Sequence, residues 1–296
     1  MKIRVYVGIG LTAFLFGTME VALKIGGSDL DPFQLTFLRF LIGGIVILPL
    51  AIKELRDNKI KLTINQFFYL TMVGIVCIPI SMLLFQLGIL NCNAATASVL
   101  ISINPLFTMI FAHYFANERM TKVKGLAIIF GLIGTIFMIK PWNLQEGNSV
   151  LGIILMLLAS LTFGIYTVMG KKSTKEIGIM AQTSISFIMG AVVLLIIIVA
   201  MGKPVFEGVG DHLVLVSYVG IFVTGLGYLS YFVAIKYSDA TTGSIAFFIK
   251  PAIAPFMAVI FLGEHIMWNT YVGIGFVLIA SYVNLKESKK INGSDR

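Results

Sequence analysis

Long apolar runs, broken at near-regular intervals by short polar segments, dominate the chain. They cover residues 5–25, 33–52, 66–89, 93–115, 123–140, 150–170, 178–201, 212–236, 240–263 and 269–286. A helix rises about 1.5 Å per residue, so roughly 20 apolar residues cross the hydrocarbon core of a bilayer. The pattern therefore predicts ten transmembrane helices. The connections carry turn chemistry, as in Gly26-Gly27-Ser28-Asp29, Pro141-Trp142-Asn143 and Gly202-Lys203-Pro204. None is long enough to form a catalytic domain.

Composition agrees with that pattern. Of the 296 residues 58% are apolar and 12% charged, against about a quarter charged in a soluble domain, and the mean hydropathy is +0.96. An ordinary water-soluble enzyme is excluded; a polytopic membrane protein embedded in the lipid bilayer is expected. Cys77 lies inside an apolar run and Cys92 in a turn, too few for a disulfide framework, and both are expected as free thiols. The first run lacks a small-x-small cleavage site and is read as a span, not a signal peptide.

The net charge of +8 and pI near 9.4 change meaning once the spans are drawn. With the N-terminus in the cytoplasm, 17 of the 22 Lys and Arg residues fall on cytoplasmic segments. Only Lys24, Lys140 and Lys203 fall at outer ends, and Arg39 and Lys250 lie within spans. Such a bias over short loops orients membrane proteins. It points to cytoplasmic N- and C-termini in a plasma-membrane protein and gives no reason to invoke nucleic acid.

The two halves of the chain resemble each other at a shift of 146 or 147 residues. Phe16-Gly17 and Lys24 match Phe163-Gly164 and Lys171; Phe40 and Gly43 match Phe187 and Gly190; Val73-Gly74 matches Val219-Gly220. Ala94 to Glu118 matches Ala240 to Glu264, pairing Ser98 with Ser244, Pro105 with Pro251 and Phe115 with Phe261. Four helix pairs in register point to a duplication. Five crossings per unit is an odd number, so the second unit enters the membrane from the opposite side. The expected fold class is all-α integral membrane: ten transmembrane helices as two inverted five-helix repeats, residues 1–141 and 149–288, with a cytoplasmic tail at 289–296. Inverted repeats of this kind underlie many secondary transporters.

The chain resembles the EamA-type members of the drug/metabolite transporter superfamily, whose proteins have ten helices in two inverted repeats. The resemblance is carried by Phe16-Gly17-Thr18-Met19-Glu20-Val21-Ala22-Leu23-Lys24, by Leu38-Arg39-Phe40, and by the paired segments Pro105 to Glu118 and Pro251 to Glu264. It covers nearly the whole chain and implies a transporter that exports or exchanges small metabolites such as amino acids. Glu20 and Lys250 depart from the family pattern, so their roles rest on the residues themselves. Transport of a cationic or neutral drug-like compound or a sugar derivative stays open, as does a homodimer. The readings of another class are a membrane scaffold and an intramembrane enzyme.

Charged groups inside hydrocarbon are costly and need a reason. At about 1.5 Å per residue, Glu20 and Arg39 both lie roughly 8 Å below the outer surface, level enough to form an ion pair or coupling pair. Lys250 sits near the midplane with no acid at matching depth, so a substrate carboxylate or phosphate is its expected partner. Asn104, Gln86, Tyr231 and Ser81 are candidate hydrogen-bonding groups around it, and Phe85 and Tyr228 candidate walls. Pro79, Pro105, Pro251 and Pro255 interrupt helices, Gly225 is the repeat counterpart of Pro79, and these five are the candidate hinges. Pro105 and Pro251 free the carbonyls of Ile101 and Phe247. Glu118 and Glu264 are expected to cap the helix that follows each. Nothing suggests a catalytic residue, a metal site or a cofactor: the chain has no Gly-rich Lys-Ser/Thr loop and no metal-ligand spacing.

Overall fold

The computed structural model describes residues 2–26, 29–118, 120–139, 147–263 and 267–294. Among them the chain is helical throughout, without strands. The first span is α1 (Lys2–Gly17) and α2 (Met19–Gly26), broken at Thr18. Next come α3 (Pro32–Asp57), then α4 (Ile64–Ile75) continued by a π-helical segment Val76–Met82 and α5 (Leu83–Leu90). The pair α6 (Ala94–Ile101) and α7 (Asn104–Ala116) is followed by α8 (Lys122–Ile139). The second half holds α9 (Val150–Ile177), α10 (Ile179–Ala200) and α11 (Leu213–Ser217), then a π-helical segment Tyr218–Leu226 leading into α12 (Gly227–Lys236). It ends in α13 (Ala240–Gly243), α14 (Ala246–Leu262) and α15 (Trp268–Ser294).

Local chemistry places the helix starts. Asp31 accepts from the Phe33 amide at 2.8 Å with Pro32 opening α3, and Thr63 and Gln66 form a reciprocal capping box on α4. Ser149 accepts from the Gly152 amide and Asp239 from the Thr242 amide. At the end of α7, Asn117 takes a left-handed conformation, φ 52°, which turns the chain sharply.

Seven helices among the described residues are long and apolar enough to cross a membrane. Ten were expected. The other three expected stretches are also helical, in α8, α14 and α15, but α14 is only 17 residues and α15 has a shorter apolar stretch, Tyr271–Ala280. Length and apolarity alone therefore do not carry the count to ten.

The interruptions fall where the two halves correspond. Pro79 lies in one π-helical segment and Gly225 in the other; π segments concentrate at functional sites. Turns at Ser102–Ile103 and Ser244–Ile245 split the other matched pair. The Ile101 carbonyl that Pro105 frees accepts from the Ser160 hydroxyl at 3.4 Å. Pro251 and Pro255 lie within α14.

Helix contacts are reciprocal between the halves. A side chain on Gly43 of α3 would meet the Gly220 carbonyl, and one on Gly74 of α4 would meet the backbone of Gly190 in α10. Gly43 matches Gly190 and Gly74 matches Gly220, so each contact repeats the other with roles exchanged. Their matched neighbours Phe40 and Phe187 meet edge to face at the centre, 4.8 Å between centroids. Cys77 and Cys92 are both free and buried.

Candidate functional site

Aromatic side chains from several helices fill the middle of the bundle. Tyr228 of α12 packs on Phe16 (4.9 Å), Phe187 (5.0 Å), Phe40 (5.6 Å) and Phe163 (5.9 Å), edge-on geometries that favour such pairs. Its hydroxyl donates to the Met82 sulfur at 3.1 Å. The Tyr231 hydroxyl lies 2.8 Å from Thr167 Oγ1 and 3.2 Å from Ser244 Oγ. Of these, Phe16 with Phe163, Phe40 with Phe187, and Ser244 are residues that the repeat pairs. The centre is closed to solvent.

Lys250 and Glu20 are buried here, 1% and 0% exposed, and form an ion pair with each other. The Lys250 ammonium also stands 5.4 Å from the Phe85 ring centre and 5.9 Å from that of Phe247. This corrects two expectations: Glu20 does not take Arg39 as its partner, and Lys250 does not lack a protein acid. The reason is the register between helices. Gly17 packs directly against Ile253, which sets Glu20 about one turn above the contact and Lys250 about one turn below it. The four-carbon lysine stem spans the difference.

Arg39 is fully buried and makes no salt bridge among the described residues. One nitrogen donates to the Met19 sulfur at 3.6 Å, and the guanidinium lies 4.5 Å from the Phe40 ring centre. Nε and Nη2 have no hydrogen-bond partner.

The other expected site residues divide. Gln86 follows Phe85 and is buried with both amide atoms unpartnered. Asn104 and Ser81 instead tie helices together: Asn104 donates to the Ser160 carbonyl at 3.1 Å and accepts from Thr108 at 3.0 Å, and Ser81 donates to the Ala159 carbonyl at 3.0 Å. Phe16, Phe40, Phe163 and Phe187 were missed as site residues, although the internal repeat had already paired them.

Carboxylates hold the helix starts at the end where α9 and α12 finish. Glu54 accepts from the amides of Ile179, Met180 and Ala181 at 3.1, 2.8 and 3.0 Å. Glu118 accepts from the Ala240 amide at 2.9 Å and the Thr241 hydroxyl at 2.8 Å, and pairs with Lys171 at 2.5 Å. It thus caps α13, in the other half, and not the helix that follows it. The left-handed Asn117 ends α7, which packs against α13. Glu264 lies outside the described residues.

Burial alone would raise the Glu118 carboxyl, but the Lys171 ammonium, the Ala240 amide and the Thr241 hydroxyl outweigh it and hold the group below its ordinary value of 4.5. A carboxyl depressed in the folded state stabilises the fold above its unfolded value, and that contribution fades as pH falls through the depressed one. Thermal stability should therefore drop below about pH 4 in the wild type. The drop should shrink in Glu118→Gln, and an unchanged acid profile in that variant would show that the clasp contributes nothing.

Two cavities lie towards opposite ends of the bundle. One of about 740 Å³ is lined by Tyr69, Phe111, Phe115, Lys171, Lys172 and Lys175, among others. The second, about 420 Å³, lies at the opposite end against Thr18, Val21, His212, Tyr218, Met257 and Phe261. A 2.7 Å hydrogen bond between Thr18 and Tyr218 lies along its wall.

Comparison with known proteins gives the family. A protein of Clostridium kluyveri named an uncharacterized transporter is 37% identical over 294 residues, covering 97% of this chain and 94% of its own. The uncharacterized transporter YoaV of Bacillus subtilis is 27% identical over 289 residues, 95% and 97% of the two chains. A protein known from a crystal structure superposes with a TM-score of 0.76 at 16% identity over 98% of this chain and 99% of that one, a likeness of fold alone. The EamA-like transporter family matches twice, over residues 4–140 and 150–286. The chain belongs to the EamA-like transporter family and is a multi-pass membrane transporter, not an enzyme.

Proposed function

We propose that the protein is a secondary transporter that moves a small zwitterionic or anionic metabolite of the amino-acid class by alternating access, with export as its direction. The halves 1–141 and 149–288 are the moving units, related by an inverted two-fold axis, with ten crossings and both termini cytoplasmic. The reciprocal Gly43–Gly220 and Gly74–Gly190 contacts support that symmetry, and the lysine and arginine bias supports the orientation.

The observation that carries the reading is the buried Glu20–Lys250 pair inside an aromatic chamber. A zwitterion can insert between the two, its carboxylate taking Lys250 and its ammonium taking Glu20, so neither member of the pair is stranded in a dry site. Gln86, which follows Phe85 and has both amide atoms unpartnered, is the polar group available to orient it. The halves then rock about the π segments at Pro79 and Gly225 and the breaks near Pro105, Pro251 and Pro255, opening one cavity as the other closes. The closed centre suits an occluded state.

Proteoliposome uptake of labelled amino acids and organic acids tests this. Lys250→Met should abolish uptake while Lys250→Arg retains part of it; full uptake by a folded Lys250→Met protein would remove the site. Reporter fusions at residues 53–61 and 286–294 should report cytoplasm, and one after Lys290 reporting the outside would overturn both the crossing number and the inversion.

A further inference from the structure

We propose that Arg39 is an oxyanion seat of the transport site and that the substrate it grips is a monocarboxylate. This rests on the transport reading above and deepens it. Arg39 is fully buried, yet among the described residues its only polar contact is a sulfur 3.6 Å away, and Nε and Nη2 are unfilled. A guanidinium presents its donors as a rigid fork that matches a carboxylate, and a buried charge without a counter-ion is costly. The guanidinium carbon lies 4.5 Å from the Phe40 ring centre, and Nε and Nη2 are the donors left to receive a ligand.

Charge balance selects the ligand class. Among the described residues Glu20, Lys250 and Arg39 are the charged side chains of the centre, and Arg39 lies within electrostatic range of both members of the pair. One acid against two bases leaves a single excess positive charge. A monocarboxylate cancels it; a phosphate dianion overshoots, and a cation adds to it. A zwitterion supplies the same carboxylate but, being neutral overall, leaves that excess in place. The aromatic walls around Tyr228 suit an apolar body on the ligand.

The test is ligand binding to the purified full chain. The probes are the proteinogenic amino acids and short monocarboxylates, each set against its methyl ester, with inorganic phosphate as a further arm. Free acids should bind the wild type, whereas esters and phosphate should not. Arg39→Gln should weaken acid binding by about 100-fold, the scale of a lost charge-assisted pair. Arg39→Lys keeps the charge but not the fork and holds the test if Arg39→Gln does not fold; a loss of about 10-fold is expected there. Unchanged acid affinity in either folded variant overturns the seat. If Lys250→Met loses binding while Arg39→Gln keeps it, the transport reading stands and the Arg39 seat falls. If Arg39→Gln loses it and Lys250→Met keeps it, the Arg39 seat stands and the Glu20–Lys250 pair is not where the carboxylate binds. Equal binding of acids and esters, tight binding of phosphate, or no acid binding to the wild type overturns the monocarboxylate assignment.

Discussion

Lys250→Met and Glu20→Gln should each leave far less folded protein than the double variant carrying both changes. Glu20 is 0% exposed, so removing Lys250 leaves a carboxylate without its ion-pair partner. Stranding one member of a buried pair costs about 3–5 kcal/mol. Removing Glu20 is the harsher change, because Lys250 and Arg39 then repel each other without the acid that offsets them. When both members go, the stranded charge disappears, and the double variant should be much more stable than the sum of the singles. The measurement is the melting temperature of each purified variant in detergent, read as a double-mutant cycle. A coupling energy near zero would mean that the two residues do not depend on each other.

Gly74→Ala should be the most damaging of the glycine substitutions. Its methyl group would run into the Ser186 carbonyl and lie 2.8 Å from the Gly190 amide. Both obstacles are backbone, so α4 and α10 must move apart to make room. Overpacking of this kind costs about 1–3 kcal/mol where only side chains yield, and here the contact itself is lost. Small residues are what let membrane helices approach so closely. Gly43→Ala, whose methyl would sit 3.1 Å from the Gly220 carbonyl, should be milder, and Gly10→Ala, with nothing within 4 Å, should be neutral. Thermal stability of the three purified variants gives the order. If Gly74→Ala melts with Gly10→Ala, the close packing is not there.

Much of the molecule is legible along the chain. Apolar runs mark the helices, and the charge bias suggests an orientation without reference to any neighbour. The repeat is legible for the same reason: Phe40 with Gly43 and Phe187 with Gly190 recur because each half packs its helices by the same local rules. The prolines also acted where they stood, freeing the Ile101 carbonyl that Ser160 then satisfied, since loss of a backbone donor is a property of the residue itself.

The sequence by itself determined which residues carry charge inside the apolar runs, how deep each lies along its own helix, and that two similar halves make up the chain. Only the tertiary structure decided who meets whom. A helix fixes the face and depth of a side chain on its own axis, but the sliding of one helix past another is set by packing. The approach of Gly17 to Ile253 gave Glu20 to Lys250, left Arg39 unpaired and put Phe85 beside the ammonium. The same cause turned Asn104 and Ser81 onto the backbone of α9, and the left-handed Asn117 sent Glu118 to α13. These are contacts between segments far apart along the chain, and no period within one helix encodes them.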